Sequence, residues 1–211
     1  MNLEKYPFFT TKMLKAFENV PHPEVTVSRK TSLKKIEKGK YTVHENPLVY
    51  ATVLVTPSYL SLRSALHFYQ LTNQIPLKAQ VMIKTRKQPL KDITFITQKQ
   101  FFGFTRTSIQ GFDLFIATKE KLLLDLVQHH YSTDELQQLI SEPLSTATII
   151  EYLKTINNLS LTKRVGYILR SQDIHAAFSD EIQQSKTYPK LHQNLPRKGH
   201  TDSKWRLIIN D

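Results

Sequence analysis

The stretch Thr31-Ser32-Leu33-Lys34-Lys35-Ile36-Glu37-Lys38-Gly39-Lys40-Tyr41-Thr42-Val43 decides how the N-terminal part of the chain is read. Leu33 and Ile36 are three residues apart, the spacing that puts two apolar side chains on one helix face. Gly39 stands where a helix can stop in the left-handed conformation at least cost. Lys40 to Val43 then alternates as a short strand, and Asn46-Pro47 turns the chain. The expectation is a helix that opens at Ser28 or Thr31 and closes at Gly39.

Upstream, Thr10 or Thr11 caps a helix carrying Met13, Leu14 and Phe17 on one face. Pro21 and Pro23 end it, since neither donates a backbone hydrogen bond. Helix, turn, basic helix, glycine and short strand is the order of a winged helix-turn-helix. In that motif the second helix brings Lys and Arg to phosphates and base edges, and the β-wing lies along the backbone. Little chain precedes Phe9, so the first helix of the usual three is short or absent.

Charge supports the same region. The 211 residues carry 29 Lys and Arg against 18 Asp and Glu, a net charge of +11, which favours a polyanionic partner. Arg29, Lys30, Lys34, Lys35, Lys38 and Lys40 face only Glu37, a local excess of +5. Lys186, Lys190, Arg197, Lys198, Lys204 and Arg206 face only Asp202, again +5, so these two stretches sum to nearly the whole surplus.

Between them, Leu48 to Thr56 is an apolar run that periodicity cannot assign to helix or strand. Pro57-Ser58 is expected to open a helix with Tyr59, Leu62, Leu66 and Tyr69 on one face. Strands are expected at 79–85, 92–97, 101–104 and 112–116, the last after a turn at Gln110-Gly111. Thr118 caps a helix with Glu120 in its first turn and Leu122, Leu123, Leu126 and Val127 as its buried stripe. Ser132-Thr133-Asp134-Glu135 forms a capping box. Ser145, Ser160 and Asp173 open three further helices, the last running through Ile182, and Trp205 to Ile209 is a closing strand returning to the sheet. The fold class is α+β: residues 1–50 a winged helix-turn-helix domain, residues 51–211 a mixed α/β domain with a C-terminal helical portion.

Much chemistry is missing. With no cysteine there is no disulfide, thiolate metal site or Cys nucleophile. Five glycines build no phosphate-cradling loop. His129 and His130 are helix neighbours about 100° apart and cannot grip one metal together. Asp113, Glu120 and Lys121 invite a metal-nuclease reading, though their spacing fits a strand end and a helix cap better. No catalytic residue, metal or cofactor is assigned. No signal peptide and no bilayer-length apolar run is read, so a cytoplasmic protein without a membrane partner is expected.

Five segments together resemble the AbiEi antitoxins of type IV toxin–antitoxin systems. They are Leu33 to Tyr41, Tyr59-Leu60-Ser61-Leu62-Arg63-Ser64-Ala65-Leu66, Ile116-Ala117-Thr118-Lys119-Glu120-Lys121-Leu122-Leu123-Leu124-Asp125, Lys163-Arg164-Val165-Gly166-Tyr167-Ile168-Leu169 and Lys204-Trp205-Arg206-Leu207-Ile208-Ile209-Asn210. They fall in the family's order. Lys119 stands where the family usually has Pro, and Leu122 replaces a small residue. The resemblance implies a non-enzymatic antitoxin and autorepressor. Its N-terminal domain would bind double-stranded operator DNA, and its C-terminal domain would oppose a nucleotidyltransferase-like toxin without a stable complex. Position and chemistry put DNA contacts at Arg29, Lys30, Thr31, Ser32, Lys34, Lys35, Lys38 and Lys40, and an antitoxin surface at Lys190, Arg197, Lys198, Lys204 and Arg206. Asp125 reads as an exposed helix residue or a partner of Lys121. The rival readings are a stand-alone regulator whose C-terminal domain senses a ligand or dimerises, and a metal-dependent nuclease.

Overall fold

Gly39 adopts φ +74° in the two-residue connection Lys38-Gly39, and the chain on either side of it forms a β-hairpin. The computed structural model describes residues 3–18, 22, 25, 29, 33–131 and 133–210. A single 3-10 turn, Leu3–Lys5, precedes β1 (Phe9–Thr10) and α1 (Thr11–Glu18), and β2 (Lys34–Glu37) and β3 (Lys40–Thr42) follow. Thr10 Oγ1 accepts from Met13 N at 3.2 Å, so Thr10 caps α1. The expected helix ending at Gly39 is corrected: 34–37 is a strand, paired Lys34 to Thr42 and Lys35 to Tyr41, with a register shift before Glu37. That shift accommodates one extra residue and breaks the period of two that marks a strand, leaving Leu33 and Ile36 at a helix-like spacing. The expected helix start, Ser28 or Thr31, lies outside the described residues. The three strands form one sheet in the order β1-β3-β2. Beneath it Leu3, Phe9 and Leu14 are buried, with Met13, Leu33, Tyr41 and Val43 packed against them.

The described residues fall into two compact units, 1–67 with 74–99 and 105–116, and 68–73 with 100–104 and 117–211. The expected boundary at 50/51 falls inside α2 (Leu48–Ala51), whose four residues are all buried. The first unit also holds, but for the terminal residues Phe104 and Ala117, a mixed sheet in the order β6-β5-β4-β8-β7, from β4 (Ser58–Leu60), β5 (Ala79–Ile83), β6 (Ile93–Thr97), β7 (Phe104–Ile109) and β8 (Phe112–Ala117). Ser58 to Leu60, expected to be helical, is instead the fully buried central strand, and α3 begins only at Leu62 (Leu62–Phe68). Gln80 fixes that junction. Its side-chain oxygen accepts from Arg63 N at 2.8 Å, its backbone N–H donates to Ser64 Oγ at 2.8 Å, and its carbonyl accepts from Ser61 N at 3.2 Å. Gln110 and Gly111 both take positive φ in the tight turn expected there.

The second unit is built on α4 (Lys119–Gln128), capped by Thr118 as expected. Every residue from Lys121 to Val127 is buried, so the helix is enclosed all round and not only along its apolar stripe. Of the two readings of Asp125, the pairing with Lys121 holds and the exposure does not: both residues are fully buried. Gly103, at φ +69°, accepts from Thr118 N through its carbonyl, and a Cβ there would fall 2.9 Å from Lys121 Cβ and 3.0 Å from Tyr152. This close approach is why 101–103 is not the expected strand. His129 caps α4 at its end; burial pushes its imidazole below the ordinary value and favours the neutral ring.

Around α4 stand α5 (Thr133–Ile140), α6 (Thr146–Ile156), α7 (Leu159–Leu169), α8 (Gln172–Ala177) and α9 (Ser179–Gln184). Ser145 caps α6 as expected, but Asn158, not Ser160, caps α7, and Ser171, not Asp173, caps α8. The single helix expected from Asp173 through Ile182 is broken at Phe178. Of the capping box before α5, Ser132 lies outside the described residues. The closing strand β10 (Leu207–Ile209) pairs antiparallel with β9 (His200–Asp202) in a sheet of its own instead of joining the larger sheet.

Gly166 shows how tightly α7 is held to the tail. A helical Gly→Ala change ordinarily stabilises by about 1 kcal/mol, but a Cβ on Gly166 would lie 2.1 Å from Trp205 Cη2. Trp205 is buried and cannot move aside freely. Gly166→Ala is therefore expected to destabilise the protein by about 1–3 kcal/mol in denaturant unfolding. A variant as stable as the parent would show that the indole does not occupy this position.

Candidate nucleic-acid interface

The hairpin and the chain before it hold the described cations expected to touch DNA. Arg29 is exposed on helical backbone, as is Val25 four residues earlier, while Lys30, Thr31 and Ser32 lie outside the described residues. Lys34 and Lys35 belong to β2, so their expected place on a reading helix is corrected to the hairpin, and Lys38 and Lys40 flank its tip. Lys35 and Lys38 are exposed. Lys34 is engaged: its ammonium lies 2.7 Å from Asp92 Oδ2, and that hydrogen bond holds its pKa above the ordinary value. Lys40 bonds Glu37 at 2.9 Å and lies 5.6 Å from the ring centroid of Phe8.

A third basic stretch joins them. Lys78, Lys84, Arg86, Lys87, Lys91 and Lys99 face only Asp92, an excess of +5 that acidic neighbours offset in the whole-chain sum. The topology explains its position. β5 and β6 are parallel neighbours, with Ala79 beside Ile93 and Ile83 beside Thr97, so the connection must run back the length of a strand, about 13 Å at ~3.3 Å per residue. Residues 84–92 make that return, and two of them meet the hairpin: Lys87 Nζ donates to Glu37 Oε2 at 2.8 Å and Asp92 takes Lys34. Lys84, Arg86 and Lys91 are exposed on this return. Its signal in the sequence is local charge taken window by window, which the two terminal runs overshadow.

Glu37 is the hub. Burial raises its pKa, but hydrogen bonds from Lys87 and Lys40 outweigh that and hold the carboxyl below its ordinary value. The acid thus ties hairpin and return loop together, leaving Lys35 and Lys38 to the solvent.

The C-terminal cations divide. Arg197, Lys198 and Lys204 are exposed, Lys204 donating to Gln172 Oε1 at 2.6 Å. Lys190 and Arg206 are drawn inward, Lys190 to the carbonyls of Gln193 and Leu195 at 2.7 and 2.6 Å, and Arg206 to Ser185 O at 2.8 Å and the Tyr188 hydroxyl at 3.2 Å. The residues weighed for a nuclease have separate partners: Asp113 pairs with Arg106 across the β7–β8 hairpin, Glu120 accepts from Ser145 N at 3.1 Å, and Lys121 pairs with Asp125. Among the described residues no group of three or more His, Cys, Asp or Glu is placed to hold a metal, and no helix is long and apolar enough to cross a membrane.

No family model and no curated protein matches the sequence. The fold is similar to that in the crystal structure of RV2827C protein from Mycobacterium tuberculosis, with a TM-score of 0.72 at 11% identity, over 97% of this chain and 86% of that one. At that identity the likeness is one of fold alone.

The depressed Glu37 pKa has a defined sign. A carboxyl that titrates lower in the folded state contributes stability above its ordinary pKa of 4.5 and loses it as pH falls through the folded value. Glu37→Gln is expected to cost about 1 kcal/mol at pH 7, and the gap to the parent should close in unfolding curves taken progressively below pH 4.5. A gap that stays constant on acidification would remove the ion pairs as its cause.

Proposed function

We propose that this protein is an antitoxin and transcriptional autorepressor whose N-terminal segment binds operator DNA through a winged helix-turn-helix. The observation that carries it is the sheet β1-β3-β2, with α1 between β1 and β2 and an exposed basic hairpin at Lys38-Gly39. In a winged helix-turn-helix the reading helix lies between the second helix and the wing. That interval holds Arg29, exposed and helical, while Lys35 and Lys38 take the wing's place along the phosphate backbone. The return loop with Lys84, Arg86 and Lys91 widens the positive face. The fold seen in RV2827C protein is compatible with this reading and adds no function to it.

The resemblance to the AbiEi antitoxins supplies the second half: the C-terminal unit opposes a nucleotidyltransferase-like toxin, with exposed Arg197, Lys198 and Lys204 as its candidate surface. A toxin gene beside this one separates an antitoxin from a stand-alone regulator.

Lys35→Ala with Lys38→Ala is expected to weaken binding to the protein's own upstream region in fluorescence anisotropy. Every lysine–phosphate interaction that the substitutions remove should reduce the log–log salt slope by about 0.9. An unchanged slope in a folded double variant removes the hairpin from the interface. Reversing Arg197 and Lys198 to Glu is expected to impair rescue from the toxin while operator recognition stays nearly intact. A collapse of operator specificity with intact rescue would reverse the two roles.

A further inference from the structure

We propose that a recess in the second unit, lined by Arg164, Tyr188, Pro189, Lys190, Gln193 and Arg197, binds the phosphate group of a small phosphorylated ligand. The recess has a volume of about 380 Å³, within the range of small-molecule sites. It is independent of the DNA-binding reading.

Its base is Arg164, on α7 and only 5% exposed. Three of its five N–H groups are engaged, all by neutral acceptors. Nε donates to Lys190 O at 2.8 Å. In the amide orientation that matches donors to acceptors, Gln193 Oε1 accepts from Nη1 at 2.9 Å and Nη2 at 2.6 Å, and its Nε2 donates to His130 Nε2 at 2.8 Å. His130 is thereby held as the neutral ring; burial and Arg164 both push its pKa down. Two guanidinium N–H groups stay open. Lys190 spends two of its three on carbonyls and keeps one. Arg197, exposed at the mouth, makes one long bond to Tyr188 O at 3.5 Å. Arg206 sits behind the Tyr188 ring, 5.4 Å from its centroid, and buried Lys163 lies beyond it on Ser185 Oγ and Thr187 O, each at 2.8 Å.

Among the described residues none of these five cations pairs with a carboxylate. Elsewhere in the protein the partly buried cations do find acids: Lys34 has Asp92, Lys87 has Glu37, Lys119 has Glu142. Gathering buried positive charge without a counterion is costly unless an anion arrives. With Nε and the end fork taken, one N–H stays open on each of Nη1 and Nη2, so the guanidinium donates singly to a phosphate oxygen while Lys190 and Arg197 supply the remaining charge for a dianion. Arg164 is too deep for a duplex: DNA phosphates are met by side chains that extend outward, not by one lying at the bottom of a recess. A small ligand can enter.

The test is titration calorimetry on the full-length protein with inorganic phosphate and with ATP, followed by NMR of the Gln193 side-chain amide. Saturable binding that shifts the Gln193 amide is expected, and Arg197→Glu, at an exposed position, should weaken it at least about tenfold. Equal affinity for both probes identifies a site for phosphate itself; tighter ATP binding identifies a nucleotide. Arg164→Lys keeps the charge but not the planar set of donors that holds Lys190 O and Gln193 and leaves N–H groups over for the ligand, and should weaken both; if it does not fold, Arg197→Glu decides. Absence of saturable binding at millimolar concentration, binding that leaves Gln193 unmoved, or binding that survives Arg197→Glu would each overturn the proposal.

Discussion

Taking the Lys163 ammonium and the Arg164 guanidinium out of water is the constraint on which the C-terminal half depends. A buried cation needs acceptors, and α7 carries no carboxylate. The acceptors come from the irregular chain after α9. Ser185 and Thr187 take Lys163, Lys190 O and Gln193 take Arg164, and the bare Cα of Gly166 leaves room for Trp205 against the helix. A segment with little secondary structure of its own is thus fixed by polar demands made from a helix. Asn210 closes it, accepting from His192 N at 2.9 Å and donating to His192 O and Pro196 O, each at 2.9 Å.

A similar demand operates inside α4. Lys121 and Asp125 are one turn apart and both fully buried, so their pairing satisfies charges that the all-round packing would otherwise strand. Such a pair adds little net stability over apolar residues, whereas losing one partner leaves an uncompensated charge and costs about 3–5 kcal/mol. The Phe102 ring centroid lies 5.5 Å from the Lys121 ammonium, and Gly103 brings the ring there. Buried polar groups and close backbone approaches recur along the chain: Ser64 on Gln80, Lys121 on Asp125, Arg164 on the tail, Gly166 on Trp205.

On the N-terminal side, charge organises differently. Glu37 and Asp92 are each shared with a cation of the neighbouring segment, so the acids join the hairpin to the β5–β6 return while Lys35 and Lys38 face outward. Ion pairs this accessible are weak one by one. Their value lies in alignment: they set two basic loops side by side without consuming the cations at the tip.

Local sequence determined what depends on neighbours a few residues apart. The Thr10, Thr118 and Ser145 caps, the Gln110-Gly111 turn, the strands at 79–83, 93–97 and 112–117 and the buried stripe of α4 all follow from side chains meeting their own backbone or from simple periodicity. Tertiary structure decided the rest, because the deciding partners are distant in sequence. Residues 34–37 became a strand by pairing with 40–42 and packing Leu33 on Phe9 and Leu14, against an i, i+3 pattern that also fits a helix. Ser58 to Leu60 became a strand because β5 and β8 flank it. Spacing alone offers Asp125 to Lys121, but its burial follows only once the helix is enclosed on every side, and the basic loop at 84–91 gains its place beside the hairpin only from the parallel register of β5 and β6. Periodicity reports which face of an element is apolar; what covers that face, and which charges it traps, is set by chain returning from far away.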